Sequence, residues 1–306
     1  VSRGAGRLLR LGVSLAGLAV LIFFVADPDR LLRELRAMAP AALALAVALA
    51  AADRILMAYK WWLLVDAADR LSLTTAIKLY FAASFAGLFL PVTVGPDALR
   101  IVAARDVGLA HVTASVIVER LLGSIAVAVV AAVSCLLLLS AVRTDIVISL
   151  VTPAVVLGLL GLAALVASLQ LVDRWPADSR WRQGRLGKAI DAYARYRHRP
   201  RLLARFLSLS IVESLIPAFM YYVVAWGLGF STPLQVFVAT TPLALVIARL
   251  PVSLGGFGVQ EAAFVYLAGL LDVPRTTALS IALASDVALI VALLPGAFAL
   301  PARQAP

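Results

Sequence analysis

The sequence predicts an all-α, polytopic membrane helix bundle of about six full spans plus two inverted re-entrant helical hairpins, eight membrane-embedded helical units in all. Three observations carry that expectation. First, 63% of the 306 residues are hydrophobic and only 14% are charged, and the mean hydropathy is +1.00. No soluble domain has that composition, whereas several membrane spans do. Second, Leu90-Pro91-Val92-Thr93-Val94-Gly95-Pro96 recurs 160 residues later as Leu250-Pro251-Val252-Ser253-Leu254-Gly255-Gly256. Proline and glycine between apolar helical runs mean a broken helix. In lipid, a break survives only where protein or a water-filled cavity surrounds it. Third, ten Lys/Arg against three Asp crowd into residues 172–205, which places that loop in the cytoplasm.

In chain order, Arg3, Arg7 and Arg10 precede an apolar run over 11–26, the first span. Phe24, a large residue at the −3 position of a cut after Ala26, argues against a cleaved signal peptide. Residues 27–40 form an amphipathic piece with Leu31, Leu32, Leu35 and Met38 on one face, expected at the membrane surface. The second span, 41–65, closes with Tyr59-Lys60-Trp61-Trp62, read as an interfacial anchor. The first broken unit follows, with an entering helix over 75–90 and a returning one over 97–109. Spans over 112–141 and 146–171 lead to the basic loop, whose 183–198 part suits a surface helix. A span over 207–230 contains Glu213 and Pro217. The second broken unit runs over 233–271, and 276–300 is the last span. The chain reads as a single integral membrane domain over 1–306. Its pseudo-repeat halves, about 41–141 and 202–300, are joined by the cytoplasmic loop 172–205.

Parity decides the topology. The arginine-rich N-terminus and the basic loop should both face the cytoplasm. Counting 75–90 as a span would put them on opposite sides; counting it as half of a hairpin puts both inside. Sixteen helical residues reach about 24 Å, short of a ~30 Å hydrocarbon core. Three spans then separate the two hairpins, so the first opens from the cytoplasm and the second from outside, an inverted repeat. The C-terminus is cytoplasmic too, in a bacterial-type inner membrane.

Charged groups inside a membrane cost about 2.5–3.5 kcal/mol each on insertion scales, so each needs a reason. Near the first break lie Gly95, Asp97 and Arg100, with Glu119 and Arg120 in the next span. Near the second lie Arg249, Gly255, Gly256, Gly258, Gln260 and Glu261, with Asp286 in the last span and Glu213 between the halves. Half-helices starting near Pro96 and Phe257 would aim free N–H groups inward, where they attract anions, phosphate above all. Glycines let a head group approach the backbone. Arg100, Arg120 and Arg249 would bind a phosphate. Asp97, Glu119 and Glu261 would hold those arginines or carry protons, and Glu213 and Asp286 are proton or pairing groups. Internal pairing, such as Asp97 with Arg100 or Arg249 with Glu261, is the plainer alternative. Two histidines and one cysteine are too few for a metal site or an intrachain disulfide. No Walker A sequence and no Ser/His/Asp arrangement is present. Neither a catalytic residue nor a cofactor is expected. The +10 net charge reads as positive-inside bias rather than nucleic-acid binding.

The run from Leu90-Pro91 through Gly95, Asp97-Ala98-Leu99-Arg100 and then Ala114-Ser115 through Glu119-Arg120 and Gly123 resembles one half of a known pattern. The run Leu250-Pro251 through Ser253, Gly255-Gly256, Gly258 and Gln260-Glu261 resembles the other. Both are similar to the lysylphosphatidylglycerol synthase transmembrane, flippase-like family. The resemblance implies an inner-membrane protein that moves a phospholipid or a polyprenyl-phosphate-linked lipid between leaflets. Two departures stand out: Pro96 replaces a second glycine, and Ser285-Asp286 stand where an arginine is common. Members that synthesise the lysyl lipid add an aminoacyl-transferase domain; none follows here, so synthesis by this chain alone is not expected. The expected partners are membrane lipids with anionic or phosphate-bearing head groups. The alternative reading is a non-transporting scaffold for a glycosyltransferase or lipid-synthesis enzyme, and a homo-oligomer is compatible with either.

Overall fold

The computed structural model describes residues 19–65, 71–89, 94–138, 144–174, 185–248 and 257–299. Arg249, Gly255, Gly256, Pro91 and Pro251 lie outside them. Every regular element among the described residues is helical. After a π-helical turn at Leu21–Val25 come α1 (Pro28–Arg36), α2 (Pro40–Val65), α3 (Leu73–Gly87), α4 (Val94–Ala103), α5 (Arg105–Leu138) and α6 (Thr144–Arg174). Then follow α7 (Arg185–Ala194) with a 3-10 turn at Arg195–His198, α8 (Pro200–Gly227), α9 (Leu234–Ala248), α10 (Val259–Gly269), α11 (Arg275–Leu293) and the short α12 (Pro295–Phe298). By length and composition α2, α5, α8 and α11 can each cross a membrane. The chain is a membrane-embedded, multi-pass helical bundle. Large apolar side chains such as Val212, Trp226 and Tyr266 are exposed on its outside, as a lipid solvent allows.

Local chemistry sets the helix ends. Asp27 caps α1, its carboxylate accepting from the Asp29 and Arg30 amides at 3.0 and 3.1 Å, with Pro28 at the first helical position. Ser72 caps α3 by accepting from Thr75 N–H at 3.2 Å. Helices then pack closely wherever small residues meet. Ala42, Ala46 and Ala50, four apart, form a buried stripe on α2, which lies along α8. A Cβ on Gly227 would sit 2.2 Å from that of Ala42, and one on Gly158 would sit 2.6 Å from that of Ala128. In lipid such backbone proximity replaces the hydrophobic drive that joins helices in water.

Both broken units are helical hairpins, with α3 packed on α4 and α9 on α10. Their entering arms have 15 residues each, about 22 Å of helix. Hydrogen bonds sort the bundle into two ends. At one, Ala39 N–H donates to the Gly227 carbonyl at 2.8 Å and Asp27 N–H to Thr276 Oγ1 at 3.2 Å. At the other, Tyr196 donates to the Leu64 carbonyl at 2.5 Å and Trp62 Nε1 to the Leu71 carbonyl at 2.8 Å, while Arg205 meets Tyr59. The arm α3 starts at the second end and α9 at the first, so the hairpins insert from opposite ends.

Two local readings change. The returning helix of the first hairpin ends at Ala103 rather than 109, because the next helix starts at Arg105 and bends at Gly108 (φ 124°, ψ 105°), a conformation that only glycine adopts readily. Lys60 and Trp61 are not interfacial anchors. Both are buried, since each has a polar partner inside the bundle, and only Tyr59 and Trp62 stack outside that contact. Pro96, which replaces a second glycine, sits in the first turn of α4, where its missing N–H is tolerated. Its ring also fills the notch at Gly87, whose Cβ would lie 2.8 Å from Pro96 Cγ.

Candidate functional site

The first hairpin returns Asp97 and Arg100 on adjacent turns of α4, facing Glu119 and Arg120 on α5. Arg100 is 3% exposed. Its guanidinium donates to Glu119 Oε2 at 2.8 Å and to Asp97 Oδ1 at 2.5 Å. Its Cζ lies over the Tyr80 and Trp61 rings, 4.6 and 5.2 Å from their centroids, a cation–π cage of the kind that favours arginine. Tyr80 Oη donates to Glu119 Oε1 at 3.1 Å, and Trp61 Nε1 donates to Ser115 Oγ at 3.2 Å. Arg120 donates from Nε to Asp97 Oδ2 at 2.7 Å, yet half of its side chain is exposed. Two arginines and two carboxylates thus cancel in charge. One arginine is sealed in and the other reaches the bundle's surface about 16 Å along the helix from Leu109. Gly95 sits in the first turn of α4, beside Pro96.

The second hairpin is built differently. Gly258 precedes α10 with φ +81°, which explains that glycine. Gln260 Nε2 donates to Tyr221 Oη at 3.0 Å. Glu261, in the first turn of α10, is fully buried, and Asp286, midway along α11, is 8% exposed. Neither Glu261 oxygen has a hydrogen-bond partner, nor does Asp286 Oδ2, although the two carboxyls are within hydrogen-bonding reach of each other. Both are acceptors, and no donor among the described residues bonds these three oxygens.

Glu213 joins neither group. It pairs with Lys60 at 3.0 Å, and Lys60 also donates to Ser210 at 3.0 Å and lies over the Phe206 ring. Asp53 and Arg54, which bond side by side in the middle of α2, escaped the sequence reading. Arg54 has Tyr80 and Glu213 as electrostatic neighbours, so this pair links the Lys60 bridge to the Arg100 cage. The signal was present: an Asp-Arg pair inside a 26-residue apolar helix. Trp61, Tyr80, Ser115 and Tyr221 carried no such signal, since aromatic and hydroxyl residues are ordinary in spans. Among the described residues no three metal-ligating side chains gather.

The described residues form a multi-pass helical bundle with two hairpins inserted from opposite ends, each bringing charged side chains into the interior. The model for the lysylphosphatidylglycerol synthase TM region matches residues 7–296, and the chain belongs to that family. No curated protein sequence matches it.

Proposed function

We propose that this protein is a non-catalytic lipid translocase that moves a phospholipid or polyprenyl-phosphate-linked lipid between leaflets of a bacterial cytoplasmic membrane. One observation carries the reading: Arg120 is half-exposed at mid-helix and bonded to Asp97, which a sealed arginine also holds. A phosphate arriving from the side can take the place of Asp97 at Arg120. Asp97 then keeps its bond to Arg100, so no carboxylate is stranded in the interior. Arg249, Gly255, Gly256 and Gly258 would serve the head group at the other hairpin. The N-terminus, residues 172–205 and the C-terminus face the cytoplasm in this scheme, and the hairpins are re-entrant from opposite leaflets. The test is translocation of fluorescent phospholipid in proteoliposomes. Arg120→Ala should slow it about tenfold while leaving the fold intact. An unchanged rate would refute the assignment of Arg120.

A scaffolding role has support of its own. The α7 helix and the turn after it are docked through buried Tyr193 and Tyr196 while Arg195, Arg197 and Arg199 stay exposed, a fixed basic face for a glycosyltransferase or lipid-synthesis enzyme. Loss of a co-purifying enzyme on replacing those arginines, with translocation unaffected, would favour it.

A further inference from the structure

The two hairpins treat their carboxylates in opposite ways. Every interior carboxylate of the first group has a cation: Asp97 has Arg100 and Arg120, and Glu119 has Arg100. Glu213 has Lys60 and Asp53 has Arg54. Glu261 and Asp286 have none among the described residues, although Glu261 is the most deeply buried carboxylate of the set. Two charged carboxylates facing each other with three of their four oxygens buried and without a partner repel strongly. One proton between them removes the repulsion and supplies the missing donor for the orphaned oxygens, as in carboxyl dyads elsewhere.

The surroundings agree. Tyr221 of α8 is an electrostatic neighbour of both. The entering arm α9 has no titratable residue. On α2, packed against α11, Asp53, Arg54 and Lys60 are engaged as described. On α1, Glu34 is held by Ser280 and Arg30, and on α3 Tyr80 is held by Glu119. Free N–H groups in the first turn of α10 let the pair carry one negative charge.

We propose that Glu261 and Asp286 form a proton-binding pair, and that its loading and unloading couples lipid movement to the proton gradient. The coupling rests on the translocase reading; the proton site does not. Infrared difference spectra of the full chain in lipid nanodiscs, titrated with acid, read the site directly. The wild type should show a protonated-carboxyl band that exchanges in deuterated water and is lost in both Asp286→Asn and Glu261→Gln. Thermal unfolding confirms that each variant is folded. Should Asp286→Asn fail to fold, Glu261→Gln alone decides. A band unchanged in a folded variant would overturn the site. In proteoliposomes, a tenfold proton gradient should alter the wild-type translocation rate several-fold and leave Asp286→Asn indifferent. Equal gradient responses would overturn the coupling. If the band behaves as expected and the wild type moves no lipid, the site stands and the translocase reading falls.

Discussion

Replacing Arg100 by methionine should be among the most damaging single changes in the bundle, and its size can be worked from the cage around it. The side chain is 4% exposed and bridges Asp97 and Glu119 at 2.5 and 2.8 Å. Removing one partner of a buried ion pair costs about 3–5 kcal/mol, chiefly because the other is left charged and dry. Two ring faces add about 1 kcal/mol. Asp97 keeps Arg120, so the stranded group is Glu119, whose remaining partner among the described residues is Tyr80 Oη. Neutralising it should therefore relieve the defect: Arg100→Met with Glu119→Gln should be less unstable than Arg100→Met alone. The coupling between the two positions should be about 2–3 kcal/mol, near the top of the range for groups in contact. Denaturant unfolding in detergent micelles measures it, with fluorescence of Trp61, 5.2 Å from the guanidinium, as a local probe. Additivity within about 0.5 kcal/mol would refute the claim that Arg100 exists to neutralise Glu119.

Gly227→Val should destabilise the contact between α2 and α8 by about 1–3 kcal/mol, the usual cost of overpacking, because even a Cβ there would lie 2.2 Å from that of Ala42; thermal unfolding in micelles reads it, and Ala42→Gly should recover part of the loss. Insertion of the hairpins from opposite leaflets can be read by labelling single cysteines in a Cys135→Ser background: Arg105→Cys and Lys188→Cys should react from the cytoplasm and Arg36→Cys from outside. Arg105 labelling with Arg36 would mean that the first hairpin crosses the membrane.

How far the candidate site was legible follows from how each residue makes its interactions. Asp97 and Arg100 are three apart on one helix, so their pairing could be weighed from spacing alone. Glu119 and Arg120 stood out because charge in an apolar run is costly. Which carboxylate would own which arginine was beyond the sequence, since Arg100 bonds Glu119 across 19 positions and the choice depends on how α4 lies against α5. Tyr80 and Trp61 became cage walls for the same reason. Lys60 was misread because its neighbours Tyr59 and Trp62 do resemble an interfacial belt. A helix turns 100° per residue, so Lys60 and Trp61 face the interior.

Composition, the doubled Leu-Pro-Val break and the Lys/Arg distribution determined that this is a helical membrane protein with two interrupted hairpins, because lipid permits so few backbone arrangements that hydropathy and punctuation nearly enumerate them. Tertiary structure alone decided which interior charges are spent on one another and which are left over. That depends on distances of a few ångströms between helices far apart in sequence: Lys60 found Glu213 at 3.0 Å, while Glu261 and Asp286 have no cation among the described residues.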